Sequence, residues 1–456
     1  MRREQWRKFL CVLLVCTLFP WIGLAETSTA DTLMEQINQN FTEIETLIEN
    51  GCTFTYKGET YHGMNSLNYA NAYLLGTEDY DPFCTALMDA QIALSNEVGE
   101  LYLETVKLEN AYAVQLGYDN YLAYTKAGYG IGEDAAQTVE YIGQQLPKTI
   151  SLFANMGNLL YPIETDGLWD YEDLFQQMAA MYGKLSPDYQ PILEELVHSD
   201  SFTMIKDPSF LCQDSTTSRG DIPKVQVVYI DELYLTNACM HEFGHYLHEY
   251  KKESKDAHSY YSIYEINSCA GTLLCASDME EYYREQLGDV DGAFATFRYL
   301  LESLAHISNA ALIYADLEDI FLHPENYQPE DFAQLYLEQC VAHGYTGGYS
   351  EAFQMLLGSQ WTTSYYTWLV KPSYLAAYAL AYTHAIWLWY QQANGGNAVE
   401  IYNNLINTAI PDVSLDAYCQ QMGLPDLMDP DMYAGLDDFV YNQMASLYQE
   451  AYGVAP

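Results

Sequence analysis

Apolar residues recur at three- and four-residue intervals over long stretches of this chain, the spacing that lays one apolar stripe along a helix. The pattern predicts helices over Thr32–Glu49, Pro82–Leu116, Ala135–Leu160 and Tyr171–His198, and four more beginning near Pro329, Asn397, Ser414 and Gly435. Strand-like runs are scarce. The clearest is Val225-Gln-Val-Val-Tyr-Ile230, preceded by the turn-rich loop Gln213–Pro223. A strand there leads directly into the next helix, which predicts a small sheet beside it. No internal repeat or low-complexity segment interrupts the pattern. The expected fold is therefore mainly α, with an N-terminal helical region, 26–200, and a second region, 201–456.

The first 25 residues follow a different order. Arg2, Arg3, Arg7 and Lys8 precede the apolar run Phe9–Phe19, then Pro20 and a small-residue exit at Gly23-Leu24-Ala25. Charge, apolar run and small residues in that sequence read as a secretory signal peptide, 1–25. The run is short of the roughly 20 apolar residues that span a bilayer. The expectation is a chain exported to the cell envelope or beyond, with no stable membrane insertion after cleavage; an uncleaved anchor is the alternative.

Charge narrows the partners. The formal net charge is −45, and the leader contributes four basic residues and one acid, a net +3, so the remainder carries −48. Such a field repels nucleic acid and anionic lipid, and no nucleic-acid partner is expected. With 49% hydrophobic and 18% charged residues the chain has the composition of a globular protein. Its length allows two or three lobes with cores of their own. Eight cysteines lie beyond the leader, which permits disulfides. Their spacing shows no small stapled framework. Cys269 and Cys275, expected on one helix, stand too far apart to pair.

The chemistry concentrates in His241-Glu242-Phe243-Gly244-His245. Histidines four apart on a helix present both imidazoles on one face, about 5–6 Å apart at Cβ, which suits two corners of a tetrahedral zinc site. Glu242 sits about 100° round the helix, where it can take a proton from a metal-activated water. This helix is expected to start near Asp231 or Thr236, either of which could cap it, and to end near Tyr250. His248 shares the histidine face. Three ligands stacked on one straight helix converge poorly on one ion, however, so a carboxylate from a second element is expected. Glu265 lies in Tyr261–Ser268, which opens a further amphipathic stretch running to about Gly288. Two histidines and a glutamate leave a fourth position open, the catalytic rather than the structural arrangement.

The run His241–His248, followed by Glu265-Ile-Asn-Ser268, resembles the thimet oligopeptidase and oligoendopeptidase F family of zinc peptidases. Ala113–Tyr124 is similar to a helix–turn segment of that family. Lys371-Pro-Ser-Tyr374-Leu-Ala-Ala-Tyr378-Ala-Leu-Ala381 resembles its tyrosine-bearing segment. The resemblance implies a two-lobed helical oligopeptidase of zincin type, with a deep central channel, region 26–200 forming part of one wall, and a small sheet beside the zinc helix. It implies one Zn2+ per chain held by His241, His245 and Glu265, with Glu242 as general base. Tyr378 and Tyr374 would donate hydrogen bonds to the substrate carbonyl or oxyanion, and short or unfolded peptides would be cut at internal bonds. Two departures stand out. The family's histidine ahead of the tyrosine pair has no counterpart between His343 and Tyr374, where Tyr366 or Trp368 stands. The glutamate seven residues after the third ligand is Thr272 here. They favour, as the alternative, an exported peptide-binding protein with impaired catalysis. The glycine-rich His343–Tyr349 fits either a substrate loop or a turn between helices.

Overall fold

The structure, a computed structural model, describes residues 28–63, 66, 69–156, 170–206, 215–217, 223–229, 231–251, 261–342, 351–359, 361–364, 372–408 and 415–453. Residues 1–25, expected to be a signal peptide, the segment His343–Tyr349, Tyr366, Trp368 and most of the loop 213–223 lie outside the described residues.

Helices account for most of what is described. In chain order, α1 (Ser28–Asn50) is followed by the hairpin β1 (Thr53–Tyr56) and β2 (Glu59–His62), then α2 (Tyr80–Gln115) and α3 (Tyr121–Tyr129). The stretch expected as one helix from Ala135 is two, α4 (Ala135–Gln145) and α5 (Pro147–Met156). Likewise Tyr171–His198 divides into α6 (Tyr171–Leu185) and α7 (Tyr189–Val197). Proline is the physical reason in both cases. Pro147 and Pro187 lack an N–H and push the preceding residue out of the helical region, so the apolar period continues across a break.

The second half opens with three short strands, β3 (Phe202–Ile205), β4 (Ser215–Thr217) and β5 (Lys224–Val228). The histidine helix α8 (Glu232–Lys251) comes next, then α9 (Tyr261–Leu274), α10 (Ala276–Leu287) and α11 (Asp289–Leu322). After these come α12 (Asp331–Ala342), α13 (Glu351–Gly358), the single turn α14 (Trp361–Ser364) and α15 (Pro372–Ala393). The chain closes with α16 (Ala398–Asn407), α17 (Leu415–Met422) and α18 (Leu436–Tyr452). The apolar spacing did not predict two long elements, the 22-residue α15 and the 34-residue α11. In α11 five consecutive residues, Ala293 to Phe297, are all buried, so this helix is enclosed on several faces and shows no single stripe. The amphipathic stretch from Tyr261 is interrupted at Cys275, between α9 and α10, and ends as expected at Gly288, where φ is +99°. The seven described cysteines, Cys275 among them, are free thiols. No described helix is long and apolar enough to cross a membrane.

The chain forms two compact units. One holds the described residues up to Lys126 together with Ile313–Ser373, and the other holds Ala127–Leu312 and Tyr374–Pro456. The first unit centres on α2, against which α1, β1 and α13 pack. Phe83 of α2 is fully buried and takes edge contacts from Phe54, Tyr56 and Tyr61 of the hairpin. Deeper along α2, the buried Trp361 indole N–H donates to Ser95 Oγ at 2.7 Å. The Lys126–Glu318 pair, 2.9 Å apart, is also buried in this unit.

The second unit is organised on the α8–α9 pair, with α16 packed on both helices. Its sheet has the order β3–β5–β4, with β3 parallel and β4 antiparallel to the central β5. Thr216 of the outer strand β4 pairs with Val225. The buried side chains of Val225, Val227 and Val228 hold β5 in place, and α8 packs on the sheet beyond it. The two long helices approach without a spacer. A Cβ added at Gly244 would stand 2.6 Å from Ser268 Cα and 3.0 Å from Asn267 O. Both are backbone atoms and cannot rotate aside. Gly244→Ala should therefore push α8 off α9, costing about 1–3 kcal/mol. A thermal melt checks this, and an unchanged unfolding midpoint would contradict the account.

Candidate metal centre

The strand–helix junction sets where the two motif histidines stand. Asp231 Oδ1 accepts from the Tyr234 N–H at 2.8 Å, so Asp231 caps α8. Thr236, the other candidate cap, lies inside the helix and donates to the Glu232 carbonyl at 2.8 Å. The Tyr182 hydroxyl of α6 donates to the Met240 carbonyl at 2.6 Å, tying α8 down one residue before His241. Opposite, the crossing at Gly244 brings in the first half of α9 with Glu265.

Three donor atoms converge as a result. His241 Nε2 and His245 Nε2 are 3.2 Å apart, and Glu265 Oε2 lies 3.2 Å from the first and 3.5 Å from the second. A tetrahedral zinc ion with bonds of about 2.0–2.1 Å has ligand atoms about 3.3 Å apart, so the triangle has the size such an ion requires. Its chemistry also fits. Two imidazole nitrogens and a carboxylate oxygen facing one point form a donor set suited to a cation. The Glu265 side chain is 1% exposed, that of His245 5% and that of His241 18%, so the triangle is largely buried and His241 stands nearest to solvent.

The electrostatics follow from this placement. Burial by itself would raise the Glu265 pKa, but His245 and His241 outweigh it and hold the carboxyl well below its ordinary range. Burial opposes charge on His241, and the neighbouring Cys269 and Glu265 reverse that, leaving its pKa well above the usual value. Either partner thus favours the other's ionised form, and a bound cation would take the proton's place. Ser268, one turn after Glu265, has its hydroxyl 3.0 Å from the Glu265 carbonyl and 3.4 Å from Oε2. Thr272, standing where the family glutamate was expected, donates to the Ser268 carbonyl at 2.9 Å. His245 stacks on Tyr264 with ring centres 4.2 Å apart, and the buried His248 meets the edge of the same ring at 5.8 Å.

Glu242 is buried on α8 between the two histidines. Thr216 of β4 donates to its Oε2 at 2.5 Å and stands 3.3 Å from its backbone carbonyl. Tyr378 of α15 stacks on His241 at 6.2 Å with planes 12° apart, and Tyr374 lies 4.5 Å from Tyr378 ring to ring. All six residues read from the sequence, His241, Glu242, His245, Glu265, Tyr374 and Tyr378, fall in the second unit. Three further groups join them. Thr216 sits in a polar loop whose strand pairing was not visible in the sequence. Cys269, one turn after Glu265, lies with His241 and Glu265 so that their donor atoms are all within 4.8 Å. His306 comes from α11 and packs on Tyr378 at 5.1 Å. Burial and the charge of His241 push its pKa down to about 4 against the opposing pull of Glu265.

An HExxH-type helix crossed by a glutamate-bearing helix, on a mainly helical frame with a small sheet, is a zincin-like arrangement. Structural comparison then gives the particular fold. A solved protein named as an oligoendopeptidase F matches over 98% of this chain and 80% of its own, with TM-score 0.68 and 16% identity. PZ peptidase A, solved with an inhibitor, matches over 96% and 81%, with TM-score 0.66 and 14% identity. The oligoendopeptidase F of Enterococcus faecium matches over 92% and 73%, with TM-score 0.54 and 13% identity. No family model and no curated protein matches the chain by sequence. The resemblance read from the motifs is thus borne out at the level of the fold.

Cys269 raises a question of ligand choice that geometry can answer. A zinc-bound sulfur, at about 2.3 Å from the ion, would stand about 3.5 Å from the other donors. A spread reaching 4.8 Å leaves Cys269 at the margin of that set. In a titration with Zn2+, Glu265→Ala should therefore bind the ion more than about 100-fold more weakly than the wild type, while Cys269→Ser should bind it as the wild type does. The opposite pattern would make Cys269 the third ligand.

Proposed function

We propose that this chain is a zinc metallo-oligopeptidase that hydrolyses internal bonds of short or unfolded peptides with a metal-activated water. The observation that carries the reading is the 3.2–3.5 Å convergence of His241, His245 and Glu265 with Glu242 on the same helix. The oligoendopeptidase F-type fold supports peptides as the substrate class.

His241, His245 and Glu265 would hold the ion. When bound, zinc supplies Lewis acidity toward water and the scissile carbonyl. The chain's own groups do the rest. Glu242 takes a proton from the attacking water and returns it to the departing amine. Thr216 holds one oxygen of that carboxylate, which leaves the other for the water. Tyr378, stacked along His241, would donate its phenol hydrogen to the oxygen where negative charge develops. Tyr374, whose ring lies against Tyr378, would support it at the substrate carbonyl.

A peptide-capture protein without turnover is the second reading, and Thr272 favours it: its hydroxyl serves its own helix in place of a carboxylate partner for a zinc histidine. The two readings separate cleanly. Wild type should carry one zinc and cleave quenched fluorescent peptides. Glu242→Gln should retain the zinc and lose at least about 10³-fold in rate. Peptide binding without cleavage by the zinc-loaded wild type would favour capture. The leader 1–25 is proposed to direct export, and N-terminal sequencing of the secreted protein should begin near residue 26.

A further inference from the structure

The oxyanion role proposed for Tyr378 requires a ring that does not wander, because a donor displaced by about 1 Å can cost about 100-fold in rate. Among the described residues, four rings lie around Tyr378. Tyr374 and Tyr382 flank it on α15 at 4.5 and 6.0 Å, and His241 of α8 lies at 6.2 Å. The fourth is His306 of α11, at 5.1 Å with planes 26° apart. His306 also stacks on Tyr382, at 5.2 Å and 16°. One imidazole therefore lies across two tyrosines that are a single helical turn apart.

We propose that His306 is a positioning residue for Tyr378, fixing its ring beside His241 by bracing Tyr378 and Tyr382 together from a different helix. The flanking tyrosines belong to the same helix as Tyr378 and move with it. His306 does not. It sets the ring against α11, and through the buried Phe297, Leu300, Leu304 and Ile307 that helix is anchored in the core of the second unit. A flat ring is what the contact uses, so an aromatic replacement should serve where a small one does not.

This inference rests on the peptidase reading for its kinetic test but not for its structural one. In the zinc-loaded enzyme, His306→Ala should lower kcat by about 10- to 100-fold with KM nearly unchanged, the signature of a lost transition-state contact. His306→Phe should recover most of that loss. In a Tyr378→Phe background, His306→Ala should add less than about a twofold further loss, since both remove one function. Multiplying effects, or His306→Phe as damaging as His306→Ala, would overturn the proposal. Independently of turnover, 3-fluorotyrosine placed at position 378 alone should give one sharp fluorine resonance in wild type. It should broaden or split in His306→Ala and be restored in His306→Phe; a resonance unmoved by His306→Ala would overturn the proposal. A zinc-loaded wild type that cleaves no peptide would end the peptidase reading and leave the fluorine result to decide this one.

Discussion

The candidate centre depends on one close approach. At Gly244 the backbone of α8 lies so near α9 that a methyl group there would stand 2.6 Å from Ser268 Cα. This contact brings Glu265, one turn before Ser268, within 3.5 Å of both histidine nitrogens. Three ligands for one ion leave little tolerance. A crossing wider by an ångström would make the triangle too large for a small tetrahedral cation. Glycine between two histidines is thus a packing requirement, and the chemistry follows from the packing.

Two buried carboxylates stand close together and are held differently. Glu265 faces two imidazoles, which keep it ionised against the cost of burial. Glu242 is met from the sheet side by the Thr216 hydroxyl. The sheet therefore does two jobs. Its central strand β5 carries the chain into α8, and its outer strand β4 delivers the hydroxyl that orients the α8 glutamate. Environment separates the roles of two chemically similar side chains, one suited to hold a cation and one to move a proton.

Much of this was legible in the residue pattern, and the misses have physical causes. The helical period survives a proline break, so α4–α5 and α6–α7 each read as one helix. α11 escaped because it is enclosed on several faces, and with it went His306. Thr216 was invisible because a three-residue strand inside a polar loop has no pattern of its own; only its pairing with Val225 defines it. Cys269 was read only as a cysteine too far from Cys275 to pair. Its place beside His241 depends on how two helices cross.

The sequence alone determined what local rules control: a helical chain, a cap at either Asp231 or Thr236, the face shared by His241 and His245, and the need for a carboxylate from a second element. These are set by spacing along one element. Tertiary structure decided everything that needs two elements to meet. It selected Glu265 over His248 as the donor completing the triangle, placed Thr216 on Glu242, laid Tyr378 beside His241 and set His306 across the tyrosines. Residues 20 to 137 positions apart in the chain, on different elements, have no spacing rule to link them, and only the packing of those elements brings them within a few ångströms.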